Sequence, residues 1–223
     1  MKKILFILFI GGPVLGFLKT TMFSEAARPL QDVFKNNTQI AILTVPAEGI
    51  KSAVKRKAWI AYRTGKDRNI VLVDLSSGGF VEKKEVLARE KFLDCQVIWM
   101  EQGSQALKMI QLTDGALKKY PFKGEPEAML GPNVNTLTAS LIKQLAIPAE
   151  LPSNAMGSYY MGEGFHWNYQ STGNQLALAF GGYCALFYSD HRAGFSLLGL
   201  TLSYDWKDQV IGLPGFGDLR LKS

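Results

Sequence analysis

The hydrophobic pattern of the first half of the chain predicts short strands. Gln39–Val45 is a β-branched apolar run of the kind that forms a buried strand. Ala58–Arg63 and Asn69–Leu75 are two further apolar runs on either side of the turn-forming residues 64–67, which predicts an antiparallel hairpin. Gln96–Met100 is a further strand candidate.

Apolar residues at helical spacing predict two helices after these strands. The first covers Ser104–Lys119, and the second ends near Leu145. Asn133, Asn135 and Thr136 stand at the start of the second helix, where any of them could cap free backbone N–H groups. If Asn133 and Asn135 only cap the helix, replacing them by alanine should cost about 1 kcal/mol.

Glycine becomes frequent after residue 154, and helical spacing disappears. Leu176–Tyr188 and Phe195–Trp206 are two long apolar runs that predict an antiparallel hairpin, with a bulge or close backbone approach at Gly181–Gly182. Val210–Leu221 predicts one more edge strand. The predicted fold is α+β, with a mixed or antiparallel sheet, two main helices and a C-terminal antiparallel hairpin region.

The N-terminal residues have the pattern of an export signal or a membrane anchor. Two lysines precede an uncharged run, Ile4–Leu18, which is shorter than the about 20 apolar residues of a membrane-spanning helix and fits a secretory signal core. Ser24 and Ala26 fit a cleavage site, whereas Lys19 suits an uncleaved anchor whose lysine reaches the membrane interface. Either alternative places the rest of the chain outside the cytoplasm.

These patterns divide the chain of 223 residues into three parts. Residues 1–26 are predicted to be a signal peptide or anchor, residues 27–38 a linker, and residues 39–223 a single α+β domain, rich in strands from about residue 154. A domain of this size can bury a core without a disulfide or a metal.

Charge changes this picture only locally. The chain has 25 basic and 19 acidic residues, and removing residues 1–26, with three lysines and one glutamate, leaves 22 and 18. Basic residues cluster in one stretch: Lys51, Lys55, Arg56, Lys57, Arg63, Lys66 and Arg68. Through Lys55, Arg56, Lys57 and Arg63 this stretch could dock on anionic lipid or an envelope polymer, or it could be a solvated face. Nucleic acid is not expected as a partner.

Few residues in the sequence are candidates for catalysis, cofactor binding or metal binding. Serine-hydrolase, Walker and Rossmann glycine motifs are absent, and two cysteines with two histidines are too few for the common zinc sites. No cofactor or metal is therefore expected. Cys95 and Cys184 lie among apolar residues, which favours buried free thiols, although they could pair. His166 lies between aromatic residues and is a candidate site residue.

Three stretches resemble the bacterial family catalogued as domain of unknown function 3750. The first is residues 57–61 (KAWIA), and the most specific is Gly131–Thr136 (GPNVNT) followed by Leu151–Gly157 (LPSNAMG). The third is the C-terminal block of residues 171–173, 197–200 and 213–217. The family implies no known activity, and it implies an N-terminal hydrophobic segment. The body of the chain is then expected in the periplasm, either free or held at the inner membrane.

A more distant similarity links the chain to permuted papain-like hydrolases, which pair a histidine on the sheet with a cysteine at a helix start. The histidine position falls on Lys57 and the nucleophile position on Val134. Neither residue can serve in that pair, so a papain-like core here is not expected to run that chemistry.

Two functions remain open. The first is a non-catalytic envelope domain that binds a ligand or partner through Trp59, Asn133, Asn135, Thr136 and His166. The second is an amide or ester hydrolase with an unassigned catalytic set, in which His166 could lie against the second helix. Either cysteine within hydrogen-bond reach of His166 in a cleft would support this alternative. The absence of a complete catalytic set favours binding.

Overall fold

The computed structural model describes residues 30–35, 38–46, 56–65, 69–76, 81–87, 95–122, 131–170, 174–214 and 217–221. In chain order, the elements of the N-terminal half are α1 (Leu30–Val33), β1 (Gln39–Pro46), β2 (Arg56–Arg63), β3 (Asn69–Leu75), β4 (Val81–Leu87), β5 (Gln96–Gln102), α2 (Gly103–Lys118) and α3 (Val134–Gln144). The remaining elements are β6 (Phe165–Gln170), β7 (Gln175–Phe180), β8 (Cys184–Tyr188), β9 (Arg192–Leu197), β10 (Leu200–Asp205), β11 (Val210–Leu213) and β12 (Gly217–Arg220).

The strands form two antiparallel sheets, which confirms the predicted α+β class. The smaller sheet has the order β4-β3-β2-β1-β5, and the larger sheet is a seven-stranded meander from β6 to β12. The hairpin predicted for β2 and β3 is present, with Ile60 opposite Val73. The charged strand β4 was not predicted, because its sequence VEKKEVL lacks an apolar run.

The smaller sheet is buried on both faces, which explains why β1 and β2 are continuously apolar. Ile40, Ile42 and Ile60 face α2 and α3, where they pack with Leu137 and Leu141. The alternate positions face α1 and form a second cluster: Ala41, Leu43, Trp59, Ala61 and Leu72 pack with Leu30 and Phe34. One sheet thus separates two apolar cores.

The long strands predicted in the C-terminal region are wrong in length, because each apolar run folds back on itself. Leu176–Tyr188 contains β7 and β8, and Gly181, with a φ of 53°, belongs to the turn between them rather than to a bulge. The second run likewise folds back between β9 and β10, at Leu198–Gly199. The hairpin predicted between the two runs is present as β8 and β9.

Part of the predicted linker packs on the domain. Leu30 and Phe34, in and just after α1, are buried in the core on that side of the sheet. The predicted signal or anchor lies outside the described residues. No helix among the described residues is long and apolar enough to cross a membrane.

Truncation of Leu137 tests the helix side of the core. Leu137 is fully buried between α3 and the smaller sheet, so Leu137→Ala should lower the free energy of unfolding by about 2–5 kcal/mol. Leu112→Ala, at an exposed leucine of α2, should change it by less than about 0.5 kcal/mol. Urea unfolding followed by circular dichroism measures both, and equal effects would contradict this packing.

Candidate functional site

Asn133 and Thr136 close the first turn of α3. The Asn133 Oδ1 atom accepts hydrogen bonds from the backbone N–H groups of Asn135 (2.9 Å) and Thr136 (3.2 Å). In return, the Thr136 hydroxyl accepts one from the Asn133 N–H group (3.3 Å). This reciprocal capping box satisfies backbone groups that have no partner within the helix. Of the three predicted caps, Asn133 is the one used.

Asn135 and Thr138 cover an open strand edge. In the part of the chain that the structure describes, β2 pairs with β1 over its whole length but with β3 only at residues 60–62, so the backbone before Ile60 has no described strand on that side. The Asn135 Oδ1 atom accepts from the Ala58 N–H group (2.6 Å), and its Nδ2 atom donates to the Arg56 carbonyl (3.0 Å). The Thr138 hydroxyl donates to the Ala58 carbonyl (2.7 Å). Two side chains of α3 therefore replace the missing strand.

The same amides hold the segment of residues 154–157. Asn133 and Asn135 both donate to the Met156 carbonyl, at 3.2 and 2.8 Å, and the Thr136 hydroxyl donates to the Gly157 carbonyl at 2.7 Å. Gly157 has a φ of 83°, and a Cβ atom there would overlap the Asn133 amide. Glycine is required at this position for both reasons.

The predicted binding residues are only partly brought together. Asn133, Asn135 and Thr136 form one buried network within the protein. The Trp59 side chain lies on the other face of the smaller sheet and donates from Nε1 to Asp74 Oδ1 (3.2 Å). His166 lies on β6 of the larger sheet.

The predicted basic surface is partly engaged in internal contacts. Arg56 donates from Nε to the Thr44 hydroxyl (2.9 Å) and from Nη2 to the Thr44 carbonyl (2.8 Å). Arg63 donates to the Phe34 carbonyl (3.0 Å). Lys57 lies on β2 and is partly buried. Lys51, Lys55, Lys66 and Arg68 lie outside the described residues.

The cysteines and His166 do not form a catalytic pair. His166 is in register with Ala179 and Ala185, whereas Cys184 is in register with Phe180 and belongs to the opposite face of the larger sheet. The His166 Nε2 atom instead lies 2.7 Å from the Glu163 carbonyl oxygen. Cys95 is buried in the cluster on the α1 side, and burial raises the pKa of its thiol to about 11. Both cysteines are free, and Cys184 is exposed.

A cleft of about 790 Å³ opens between the C-terminal end of α3 and one face of the larger sheet. Its α3 side includes Ile142, Lys143 and the segment of residues 146–151. Its sheet side includes side chains from β6 to β9, among them Asn168, Ala177, Phe187 and Arg192. Most of the wall is apolar, with a few polar groups that converge on it, as in small-molecule sites of about 300–1,000 Å³.

A buried arginine orders the sheet side of the cleft. Arg192 forms an ion pair with Glu150 and donates to the Ser203 hydroxyl (3.0 Å). Its guanidinium lies 5.7 Å from the centre of the Phe187 ring, and Tyr159 stacks on the same ring at 4.3 Å between centroids. Burial alone would lower the pKa of Arg192, but nearby Tyr159 and Glu150 raise it above its usual value.

Lys143 is the other cation of the cleft. Its side chain is exposed on the last turn of α3, and no ion pair or hydrogen bond joins its ammonium group to the described part of the chain. Desolvation by the surrounding protein lowers its pKa. The carboxylate of Glu150 is paired with Arg192. The cleft therefore keeps the positive charge of Lys143, which an anionic ligand group can neutralise.

Sequence reasoning did not find the cleft. Its two sides come from residues 139–151 and 158–192, and their meeting depends on long-range packing rather than on a local pattern. The only local signal is Arg192 itself, a charged residue that opens an otherwise apolar or small strand, RAGFSL.

A family model described as "Protein of unknown function (DUF3750)" matches residues 37–160, more than half of the chain. The match contains the smaller sheet, α2, α3 and the asparagine network, and it ends before β6. No curated protein and no solved structure matches the chain, so the distant papain-like resemblance has no support from them.

Replacing Asn135 tests the structural importance of the open strand edge. Asn135→Ala removes the partner of the Ala58 N–H group and one partner each of the Arg56 and Met156 carbonyls. We expect a loss of about 2–4 kcal/mol in the free energy of unfolding, because a buried polar group left unsatisfied costs about 1–3 kcal/mol. Urea unfolding measures this loss.

Gln144→Ala is the matched control, since Gln144 is an exposed amide on the same helix whose side chain donates to the Ser140 hydroxyl. It should cost less than about 0.5 kcal/mol. A loss for Asn135→Ala as small as that of the control would contradict the edge-covering role.

Proposed function

The chain belongs to the DUF3750 family of proteins of unknown function, and from this premise we propose that it is a non-catalytic binding domain of the bacterial envelope. In this proposal the N-terminal segment exports the chain or holds it at the inner membrane. The ligand enters the cleft between α3 and the larger sheet. It is an elongated apolar molecule with one anionic group.

The proposed location follows from the N-terminal sequence. Lys2 and Lys3 precede the uncharged run Ile4–Leu18, and positive residues before an apolar segment favour retention of that end in the cytoplasm. The described residues begin at Leu30, and about ten residues of sequence lie between the run and this point. This spacing would keep a tethered domain close to the outer surface of the inner membrane.

The composition of the cleft supports the proposed ligand class. Its walls include Ile142, Ala177 and Phe187, which favour an apolar body. The ammonium group of Lys143 supplies the charge for an anionic end. This cation has no ion pair among the described residues and lies beside an apolar wall, and that is the observation that carries the proposal. Carboxylates and phosphates both have the required charge.

The side chains that could take part in catalysis are arranged in a way that supports binding instead. The raised pKa of Cys95 keeps its thiol protonated at neutral pH. Cys184 and His166 lie on opposite faces of one sheet. In the cleft, the carboxylate of Glu150 is held by Arg192. Val134, at the helix start, has no nucleophilic atom.

Cell fractionation of the C-terminally tagged full-length chain tests the location. We expect the tag in the envelope, outside the cytoplasm, either on a full-length product in the membrane or on a product shortened by roughly 26 residues in the periplasm. The length of the N-terminus distinguishes the anchor from the cleaved signal. Recovery of full-length protein in the cytoplasm would contradict the proposal.

Photolabelling of membranes that contain the full-length chain tests the ligand class. The probes are a long-chain fatty acid with a diazirine on its chain and the alcohol of the same length. We expect the acid to label cleft residues such as Tyr159 and Phe187 in preference to the alcohol. Lys143→Ala should reduce labelling by the acid about fivefold, because an exposed ion pair contributes up to about 1 kcal/mol.

Lys108→Ala is the matched control, because Lys108 is an exposed lysine of α2 that does not line the cleft. It should leave labelling by both probes unchanged. Equal labelling by the acid and the alcohol, with no effect of Lys143→Ala, would show that the anionic group is not recognised.

A further inference from the structure

The larger sheet has a second face, opposite the cleft, that is apolar across five strands. The strand register places three rows of side chains on this outer face. The middle row is Trp167, Leu178, Leu186, Phe195 and Leu202, one residue from each of β6 to β10.

The rows on either side are also made of uncharged, mostly apolar or aromatic side chains. One row is Phe165, Phe180, Cys184, Leu197 and Leu200. The other is Tyr169, Leu176, Tyr188, Ala193 and Tyr204, of which the first three also border the cleft. None of the fifteen positions carries a charge, whereas the alternate positions facing the cleft include Asn168, Gln175 and Arg192.

Most of this outer face is open to solvent in the single chain. Trp167 is 68% exposed and Leu186 is 58% exposed. Eleven of the fifteen residues are large apolar or aromatic side chains with more than a third of their surface exposed. Seven of the eleven are aromatic. Since aromatic side chains offer about 150–250 Å² each, the face leaves on the order of 1,000 Å² uncovered. The largest apolar patch of a typical monomer is about 300–600 Å².

We propose that the outer face binds the same face of a second copy of this chain. The exposed area is of the size of a standard stable interface, roughly 800 Å² per partner. The face also has the composition of a homodimer core, with Trp and Phe in its middle row, tyrosines in a flanking row and no charges. Two sheets in contact face to face form a sandwich about 10 Å thick.

The twist of the sheet favours a second copy over a lipid bilayer. Adjacent strands rotate by about 20–25°, so five strands turn the face through roughly 80–100°. A planar membrane surface can touch only part of a face twisted this far. An identical sheet has the same twist, and this is why sheets pack on each other with their strands at a fixed small angle.

The N-terminal apolar run is too narrow to cover the face. As a helix it would be about 10 Å wide, whereas five strands spaced about 4.8 Å apart span roughly 20 Å. A single helix would leave about half of the three rows in water. A second copy covers all of them at once.

If the two-fold axis of the dimer passes through the centre of the outer face, a residue at that centre lies close to the same residue of the second copy. Leu186 is at that centre, because it lies in the middle row and on the middle strand, β8. A cysteine introduced there should therefore lie within reach of the same cysteine in the partner. This is a property of the proposed sandwich that binding of lipid or of an unrelated protein does not share.

Cysteine cross-linking in cells that express the full-length chain tests the proposal. In a Cys184→Ser background, Leu186→Cys treated with a short bis-maleimide should give a product of twice the monomer mass, which is 24.7 kDa if the N-terminal segment is retained. Leu112→Cys is the matched control, an exposed leucine of α2 that is 61% accessible. It should give at least tenfold less dimer.

A charge at the same position provides a second, independent measurement. Leu186→Lys should convert the dimer to a monomer in light scattering of the full-length chain in mild detergent, whereas Leu112→Lys should leave the dimer intact. Limited proteolysis checks that both variants are folded. A monomeric parent chain would overturn the proposal.

Labelling of Leu186→Cys with a polymer-linked maleimide shows whether something other than a second copy covers the outer face. Protection from the reagent in membranes without a cross-linked dimer would mean that lipid or another protein covers the face. Free labelling without a dimer would mean that the face is bare. Either outcome would overturn the proposal.

Discussion

The hydrogen bonds from α3 to the open edge of β2 hold the two halves of this protein in place. Asn135 binds the backbone of β2 and, with Asn133, the carbonyl of Met156. The segment that contains Met156 is in turn attached to the larger sheet, because the Ser153 N–H group donates to Asp218. The asparagines therefore connect the smaller sheet, α3 and the larger sheet through one short segment. Because these groups are buried, each lost partner costs more than an exposed bond would.

The cleft is a consequence of this connection. The segment after α3 leaves the helix at Leu145 and returns to it at residues 154–157. Glu150, on the intervening chain, meets Arg192 of β9 and attaches the sheet a second time. Between these two attachments a space remains between the end of α3 and the larger sheet. This space is the cleft, which is lined by apolar side chains and Lys143. Of the residues in the most specific sequence motif, only Leu151 lines the cleft, whereas Asn133, Asn135 and Thr136 position it from outside.

The sequence predicts the elements whose signal is local. The strands β1, β2, β3 and β5 and both long helices follow from apolar runs and helical spacing, and the cap at Asn133 follows from its residue type. The pairing of Asn135 with Ala58 spans 77 positions, and no local pattern contains it. The prediction of one long strand in each C-terminal run was wrong, because Gly181–Gly182 form a turn rather than a bulge and the apolar Leu198 lies in the turn between β9 and β10.

The turns of the larger sheet determine which side chains lie on the cleft face and which lie on the outer face. Side chains alternate between the faces, so a shift of one residue would exchange the outer rows with the side chains that face the cleft. The turn between β9 and β10 prevents this shift, because Leu198 and Gly199 both have positive φ, as a two-residue hairpin of this type requires. Gly194 adds a second constraint, since a Cβ atom there would overlap the carbonyl of Leu202. The strained backbone at Leu198 maintains a register in which Arg192 faces the cleft and Phe195 the outer face.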